Sequence, residues 1–200
     1  RALAYHLYEN NGVVKRDEVS GYLNKLDQNE RKKLRNLGVK FGRYHVFLFK
    51  LFKPSSVSLR ILLWKNYNNN FLNLSPPTFG LNFLNDMKSA NKEFMLLCGF
   101  EKFDDIYVRI DILERLFLLI FNSEKDDKKE VKVVPEMLNL LGCSKDNFKK
   151  LLKKMDYKIY EREKEFFIKY LPAKKKVSKR QDKKDYSNNP FNVLHQLNLK

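Results

Sequence analysis

The sequence contains few of the residues that form catalytic, metal-binding and disulfide-stabilised sites: two cysteines, three histidines and seven glycines in 200 residues. Cys98 and Cys143 form no Cys-x-x-Cys pair and cannot support a disulfide framework, so we predict no zinc site and a reducing, cytoplasmic environment. His6, His45 and His195 lie far apart, without the spacing of metal ligands. His45 lies within an apolar aromatic run, which favours a core position over a catalytic role.

The chain also lacks long apolar segments and phosphate-binding loops. Its longest strongly apolar run, Ile110–Phe121, holds three charged residues and is too short to cross a bilayer, and nothing resembles a signal peptide. We therefore expect no membrane partner. Neither G-x-x-x-x-G-K-S/T nor G-x-G-x-x-G occurs, which excludes the common nucleotide-binding loops. Since the sequence suggests no set of nucleophile, base and orienting group either, we predict no catalytic residue, metal or cofactor within this segment.

Positive charge, in contrast, is abundant and unevenly distributed. The chain has 40 Lys and Arg against 24 Asp and Glu, a net charge of +16, and this excess favours polyanionic partners. Residues 1–65 hold 14 basic and 5 acidic residues, residues 145–184 hold 16 and 6, and the stretch between them is mildly acidic. An AT-rich coding sequence would explain part of the lysine excess but not its segregation. We therefore expect RNA, or alternatively DNA, as the partner.

Hydrophobic periodicity predicts a mainly α fold with small β elements. The predicted parts are a helical unit over residues 1–67, which includes an aromatic extended segment at Val39–Phe52, a linker over 68–90, a winged-helix-like unit over 91–171, and a basic, disordered tail over 172–200. Within the first unit, Asp27 and Glu30 have the spacing of a capping box at the start of a helix.

The winged-helix-like unit is predicted from the order helix, strand, helix, tight turn, helix and hairpin. Its third helix, Lys145–Tyr157, has apolar residues at helical spacing and lysines on the opposite side. In a winged helix, this helix can lie on nucleic acid while the hairpin contacts the backbone.

We predict that three groups of basic side chains contact phosphates. The group on the third helix and the wing is Lys149, Lys150, Lys153, Lys154, Lys158 and Arg162. The group in the N-terminal unit is Arg31, Lys32, Lys33, Lys40 and Arg43. The group in the tail, which can neutralise phosphates without reading sequence, is Lys174, Lys175, Lys176, Lys179 and Arg180. Tyr44 or Tyr160 could stack on a base, although core packing is the favoured role of both.

Five stretches follow one another in the order seen in a known family: Arg1–Gln28, Leu37–Phe47, Leu59–Trp64, Val108–Leu116 and Pro135–Ser144. Together they resemble the C-terminal region of alphaproteobacterial DEAD/DEAH-type superfamily-two helicases, which are similar to the mitochondrial degradosome RNA helicase. The resemblance covers about residues 1–165. None of the stretches is a chemical signature. Because the chain begins at Arg1 and not at Met, we expect a longer parent protein.

The resemblance implies two RecA-like motor domains upstream of Arg1, which would bind ATP and magnesium and hydrolyse ATP to separate strands. None of their motifs occurs here, so no catalytic residue is transferred to this segment, and only the parent chain is expected to be an enzyme. The segment itself is expected to hold single-stranded RNA by phosphate contacts, with the motor domains as its partner in the same chain. The alternatives are a free-standing winged-helix DNA-binding or regulatory protein, and a protein-interaction module whose basic faces are merely solvated.

Overall fold

The computed structural model describes residues 1–68, 73–85, 90–123, 130–162 and 165–171. About 48% of these residues are helical and 22% lie in strands, so the protein is mixed α/β. The prediction of a mainly α fold with small β elements is wrong. The described strands are only two to six residues long, and most are too short to show the alternation of polar and apolar residues that identifies a strand in sequence.

The first part of the chain forms a sheet with helices around it. Its elements are α1 (Ala2–Glu9), β1 (Val13–Lys15), α2 (Ser20–Leu23), α3 (Gln28–Asn36), β2 (Val39–Phe41) and β3 (His45–Leu48). The predicted capping box at the start of α3 is confirmed, because the side chains of Asp27 and Glu30 each accept the backbone N–H of the other. Both β1 and β2 pair antiparallel with β3, which lies between them. The predicted extended segment is therefore interrupted by a turn, and it ends in a 3-10 helix at Phe49–Phe52.

The second part has the same arrangement of strands. Its elements are α4 (Pro54–Tyr67), β4 (Phe83–Leu84), α5 (Lys92–Leu97), β5 (Phe100–Phe103) and β6 (Ile106–Arg109). Strand β6 lies between β4 and β5 and pairs antiparallel with both. Residues 68–90, predicted as a linker, therefore contribute β4 to this sheet. Helix α4 packs its buried Val57 and Ile61 against α5 and β5.

The third part combines three described helices with a third sheet. Its elements are α6 (Ile110–Asn122), β7 (Val131–Lys132), α7 (Pro135–Leu141), α8 (Lys145–Lys154), β8 (Tyr157–Arg162) and β9 (Glu165–Tyr170). Strand β9 lies between β7 and β8. The expected turn before α8 is confirmed: Gly142 has a left-handed conformation with φ of 66°, and the Ser144 side chain caps α8.

The winged-helix-like unit predicted over residues 91–171 is not shown, and the N-terminal unit is not simply helical. Residues 91–171 contribute to two different sheets, because β5 and β6 pair with β4 from before residue 91, whereas β8 and β9 pair with β7. In each of the three described sheets, the third strand in chain order lies between the first and the second.

A small apolar cluster joins the first sheet to α6. It consists of Val13, Phe47, Phe52 and Ile110, all of them buried. The largest cluster fills the space between α6, α7, α8 and the third sheet. Among the described residues, no helix combines the length and the apolar character that a membrane span requires.

Candidate nucleic-acid interface

The basic surface of α8 is the outer side of an amphipathic helix. The Ser144 hydroxyl at its start accepts the backbone N–H of Asn147 at 3.3 Å. Phe148, Leu151 and Leu152 are buried in the largest apolar cluster, so the lysines are directed to the other side of the helix. Among the predicted contacts on this helix, Lys149 is half-buried and the exposed ones are Lys150, Lys153 and Lys154.

Two of these four lysines have acidic partners. The Lys149 ammonium lies 3.7 Å from a carboxylate oxygen of Glu161 and 4.0 Å from the centre of the Phe166 ring. Lys154 pairs with Asp104 in the turn between β5 and β6. Such exposed pairs contribute only about 0–1 kcal/mol, so a phosphate can compete with the acid for the lysine. Within the described part of the chain, Lys150 and Lys153 make no ion pair.

The hairpin formed by β8 and β9 adds one exposed cation. Lys158 is exposed and has no described acidic partner. Arg162 is differently placed, because its Nη2 atom lies 3.0 Å from the carboxylate of the buried Glu130. We therefore expect Lys158 to contact phosphates more readily than Arg162.

The members of the second predicted group have different surroundings. Arg31 is half-buried and donates from Nη2 to the carbonyl of Leu23 at 2.7 Å and from Nε to that of Leu26 at 3.3 Å, which fixes α3 to the end of α2. Lys32 and Lys33 are exposed on α3. The two remaining members, Lys40 and Arg43, line a groove against α6 instead.

This aromatic groove lies between the first sheet and α6 and has a volume of about 610 Å³. Its apolar lining is Phe41, Phe47, Phe49, Phe117, Leu118 and Phe121. Its basic lining is Arg16, Lys40, Arg43 and Arg115. Its acidic lining is Asp111 and Glu114. The groove therefore combines aromatic rings with an excess of positive side chains, a combination typical of surfaces that bind single-stranded nucleic acid.

Both acidic residues of the groove are buried and engaged by the protein. Arg109 binds Asp111 with two hydrogen bonds, at 3.1 Å from Nε and 2.7 Å from Nη2. Glu114 accepts the backbone N–H of Arg43 at 2.5 Å, of Tyr44 at 2.9 Å and of His45 at 2.8 Å. Because protein donors already surround these carboxylates, the charges that the groove presents to solvent are mainly positive.

A chain of charged groups fixes the turn that carries Arg43. The Nε2 atom of buried His45 lies 3.4 Å from the carboxylate of Glu101, which in turn lies 3.1 Å from the Lys15 ammonium. Burial alone would lower the pKa of His45, but contacts with Glu101 and Glu114 outweigh it and hold this pKa above its ordinary value. Burial would likewise raise the pKa of Glu101, yet His45 and Lys15 hold it below its ordinary value.

The tyrosines and cysteines singled out in the sequence are buried or half-buried, and the predicted tail contacts lie outside the described residues. Tyr44 packs the edge of its ring against Phe117, with centres 6.0 Å apart, and burial raises the pKa of its hydroxyl. Tyr160 is half-buried on β8. Burial raises the pKa of Cys98 to about 12 and of Cys143 to about 11, so both thiols stay protonated at neutral pH. The predicted tail contacts Lys174, Lys175, Lys176, Lys179 and Arg180 lie outside the described residues.

Sequence reasoning missed the part of the groove that comes from α6. This part includes Arg115, Phe117, Leu118 and Phe121, none of which is among the predicted contacts. A signal was available, because the second half of α6, Leu116–Phe121, is apolar on every side, and its Leu118, Leu119 and Phe121 are exposed. Such a helix has a second apolar surface that needs an explanation.

Comparison with known proteins identifies no similar protein or structure. No protein-family model, curated protein or solved structure matches this chain. The functional assignment therefore depends on the charges and geometry described above and on the sequence resemblance.

Proposed function

We propose that this chain is an accessory nucleic-acid-binding region of an ATP-dependent RNA helicase and that it holds single-stranded RNA by phosphate contacts. The motor domains that bind ATP and magnesium belong to the parent chain upstream of Arg1. The observation that carries the proposal is the lysine-covered outer side of α8, whose inner side is buried in the largest apolar cluster.

Three properties of this surface suit a polyanion. Lys150, Lys153 and Lys158 are exposed, with no described acidic partner. Lys149 and Lys154 pair with exposed acids that a phosphate can replace. Lysine ammonium groups on flexible stems follow a phosphate backbone without reading its sequence, as holding an exiting strand requires.

Binding of the full chain to single-stranded RNA at several salt concentrations tests this proposal. Each phosphate contact on a single strand contributes about 0.7 to the slope of log K against log salt concentration, so Lys150→Ala with Lys153→Ala is expected to reduce the slope by about 1.4. The control is Lys25→Ala with Lys92→Ala, which removes the same charge from exposed sites outside α8. An unchanged slope in the α8 variant, or an equal reduction in the control, contradicts the role of α8.

The helicase part of the proposal has its own test. The coding sequence upstream of Arg1 is expected to encode two motor domains with ATP-binding motifs. A start codon directly before Arg1 contradicts the helicase assignment and leaves the RNA-binding test unaffected.

A second candidate function, a protein-interaction module, is favoured by α4. This helix buries Val57 and Ile61 but exposes Leu59, Leu62 and Leu63, and Tyr67 is 89% exposed. Exposed apolar side chains grouped on one helix are typical of a protein contact. If the basic faces are only solvated, the chain will not bind RNA even at low salt, and this candidate then replaces the first.

A further inference from the structure

The aromatic groove has the size and lining of a site for one unpaired nucleotide. Its volume of about 610 Å³ falls within the range of small-ligand sites. It is separate from the lysine surface of α8, since no residue of α8 lines it. Its walls come from the first sheet and from α6, which are held together by the three hydrogen bonds that Glu114 accepts.

Two aromatic rings of the groove are exposed to solvent. Phe121 is 59% exposed and Phe49 is 37% exposed. Phe117 stacks on Phe121 with ring centres 6.1 Å apart and an angle of 26° between their planes. Nearly parallel rings at a solvent-facing site offer flat surfaces on which a base can stack.

A cation lies over one ring of each aromatic wall, so the base would stack on the part of the ring that the cation leaves exposed. The Lys40 ammonium is 5.9 Å from the centre of the Phe49 ring, and the Arg43 guanidinium is 5.8 Å from that of Phe117. Arg115 is exposed at the same groove. Aromatic rings next to cations suit a nucleotide, whose flat base and charged phosphate are joined by a single sugar.

We infer that the aromatic groove binds an unpaired base of single-stranded RNA, with the base against Phe121 or Phe49 and the adjoining phosphates against Arg43 and Arg115. The inference rests on the proposed function and adds a second, base-dependent site to it. Double-stranded RNA cannot use the groove, because its bases are already stacked on each other. An acidic peptide would use the cations alone and would not need the rings.

The test measures binding of the full chain to three probes that carry fluorescent labels: a 12-nucleotide oligouridine, an abasic oligonucleotide of the same length, and a 12-base-pair RNA duplex. Base stacking predicts that substitution of the ring that holds the base, by Phe121→Leu or by Phe49→Leu, weakens oligouridine binding roughly 10-fold and leaves its salt slope unchanged. Neither variant is expected to change binding of the abasic strand or the duplex. Phe79→Leu, which alters an exposed phenylalanine outside the groove, is the matched control and is expected to bind as wild type.

The variants separate this inference from the proposed function. Arg115→Gln is expected to weaken binding of both single strands and to lower their salt slope by about 0.7. If the chain binds RNA with a steep salt dependence but the Phe121 and Phe49 variants bind oligouridine as wild type, the groove assignment is wrong and the proposed function stands. If these variants weaken binding of the abasic strand as much as binding of oligouridine, the rings do not stack on a base. If the wild-type chain binds none of the probes at low salt, both proposals fail.

Discussion

The carboxylate of Glu114 accepts the backbone N–H of His45 at 2.8 Å and lies 3.4 Å from the Nδ1 atom of the same residue. It also accepts the two preceding backbone N–H groups, so one side chain of α6 holds the whole turn between β2 and β3. Arg43 and Tyr44 belong to this turn. The position of Arg43 at the groove therefore depends on a contact between residues about 70 positions apart in sequence.

Glu114→Ala is expected to destabilise the fold by at least about 3 kcal/mol, because it leaves three donors without an acceptor at a cost of roughly 1–3 kcal/mol each. Glu114→Gln keeps the shape and one carbonyl oxygen, so its expected cost is smaller, about 2 kcal/mol. Urea unfolding measures both. The control is Glu18→Gln at an exposed position, which should change the free energy of unfolding by less than about 0.5 kcal/mol. Equal stabilities of the wild type and both Glu114 variants would rule out this role.

Gly42 is required because the Glu114 carboxylate approaches it closely. A Cβ atom at this position would lie 2.5 Å from Oε2 and 2.7 Å from Oε1 of Glu114. Gly42→Ala is therefore expected to cost about 1–3 kcal/mol in thermal or urea unfolding. Gly21 is the control, since a Cβ added there meets nothing within 4 Å, and Gly21→Ala should be neutral or stabilising. If Gly42→Ala and Gly21→Ala change the free energy of unfolding equally, the close approach of Glu114 does not explain the requirement for glycine at position 42.

Local signals in the sequence predicted local structure. The capping box of Asp27 and Glu30, the tight turn before α8 and the apolar side of α8 were all found in the structure. Each depends on residues within one or two helical turns of one another. The three sheets could not be predicted in the same way, because each pairs strands separated by helices, and strands such as Phe83–Leu84 are too short to show a pattern.

For the candidate sites as well, only the features that depend on residues close together in sequence could be predicted. The lysines of α8 could be predicted, because their opposite side is a regular apolar stripe. The aromatic groove could not, because Arg43 and Arg115 meet only when Glu114 binds the turn between β2 and β3. These residues lie in two of the stretches that resemble the helicase region, Leu37–Phe47 and Val108–Leu116. The sequence alone does not indicate that the two stretches pack together.

The pair of His45 and Glu101 makes stability depend on pH. The pKa of His45 is raised in the folded protein, so its contribution is complete below about 6.5 and is lost as the pH rises through the folded value. The pKa of Glu101 is lowered, so its contribution is complete above about 4.5 and is lost as the pH falls through the folded value. The pair is therefore expected to contribute most between about pH 4.5 and 6.5.

Urea midpoints of the wild type and of His45→Gln, measured from pH 4 to pH 9, check this dependence. The urea midpoint of the wild type should exceed that of the variant most between about pH 4.5 and 6.5. The difference between the two midpoints should shrink as the pH rises further. A difference that stays constant with pH would show that His45 acts only by packing.

Arg31 is expected to affect stability more than RNA binding, although the sequence predicted it as a phosphate contact. Its guanidinium donates to the carbonyls of Leu23 and Leu26, and Arg31→Met removes both hydrogen bonds. The expected loss is about 1–2 kcal/mol in the free energy of unfolding, with no change in the salt slope of RNA binding. Exposed Lys32 on the same helix is the comparison, since Lys32→Met should leave stability within about 0.5 kcal/mol of wild type. A lower slope for Arg31→Met with unchanged stability contradicts the structural role.

Asp104 is expected to weaken RNA binding, because its carboxylate occupies the ammonium of Lys154. Asp104→Asn keeps the side-chain shape and tolerates the left-handed backbone at this residue, where φ is 52°. The substitution releases Lys154, so the expected result is a few-fold higher affinity for single-stranded RNA and a salt slope larger by about 0.7.

Asp105→Asn is the control, because it removes the same charge from the neighbouring exposed residue, which makes no described ion pair. A general reduction in acidic repulsion would raise affinity equally in both variants, whereas a contact made by Lys154 raises it mainly in Asp104→Asn. Equal affinities of all three proteins would exclude Lys154 from the RNA-binding surface.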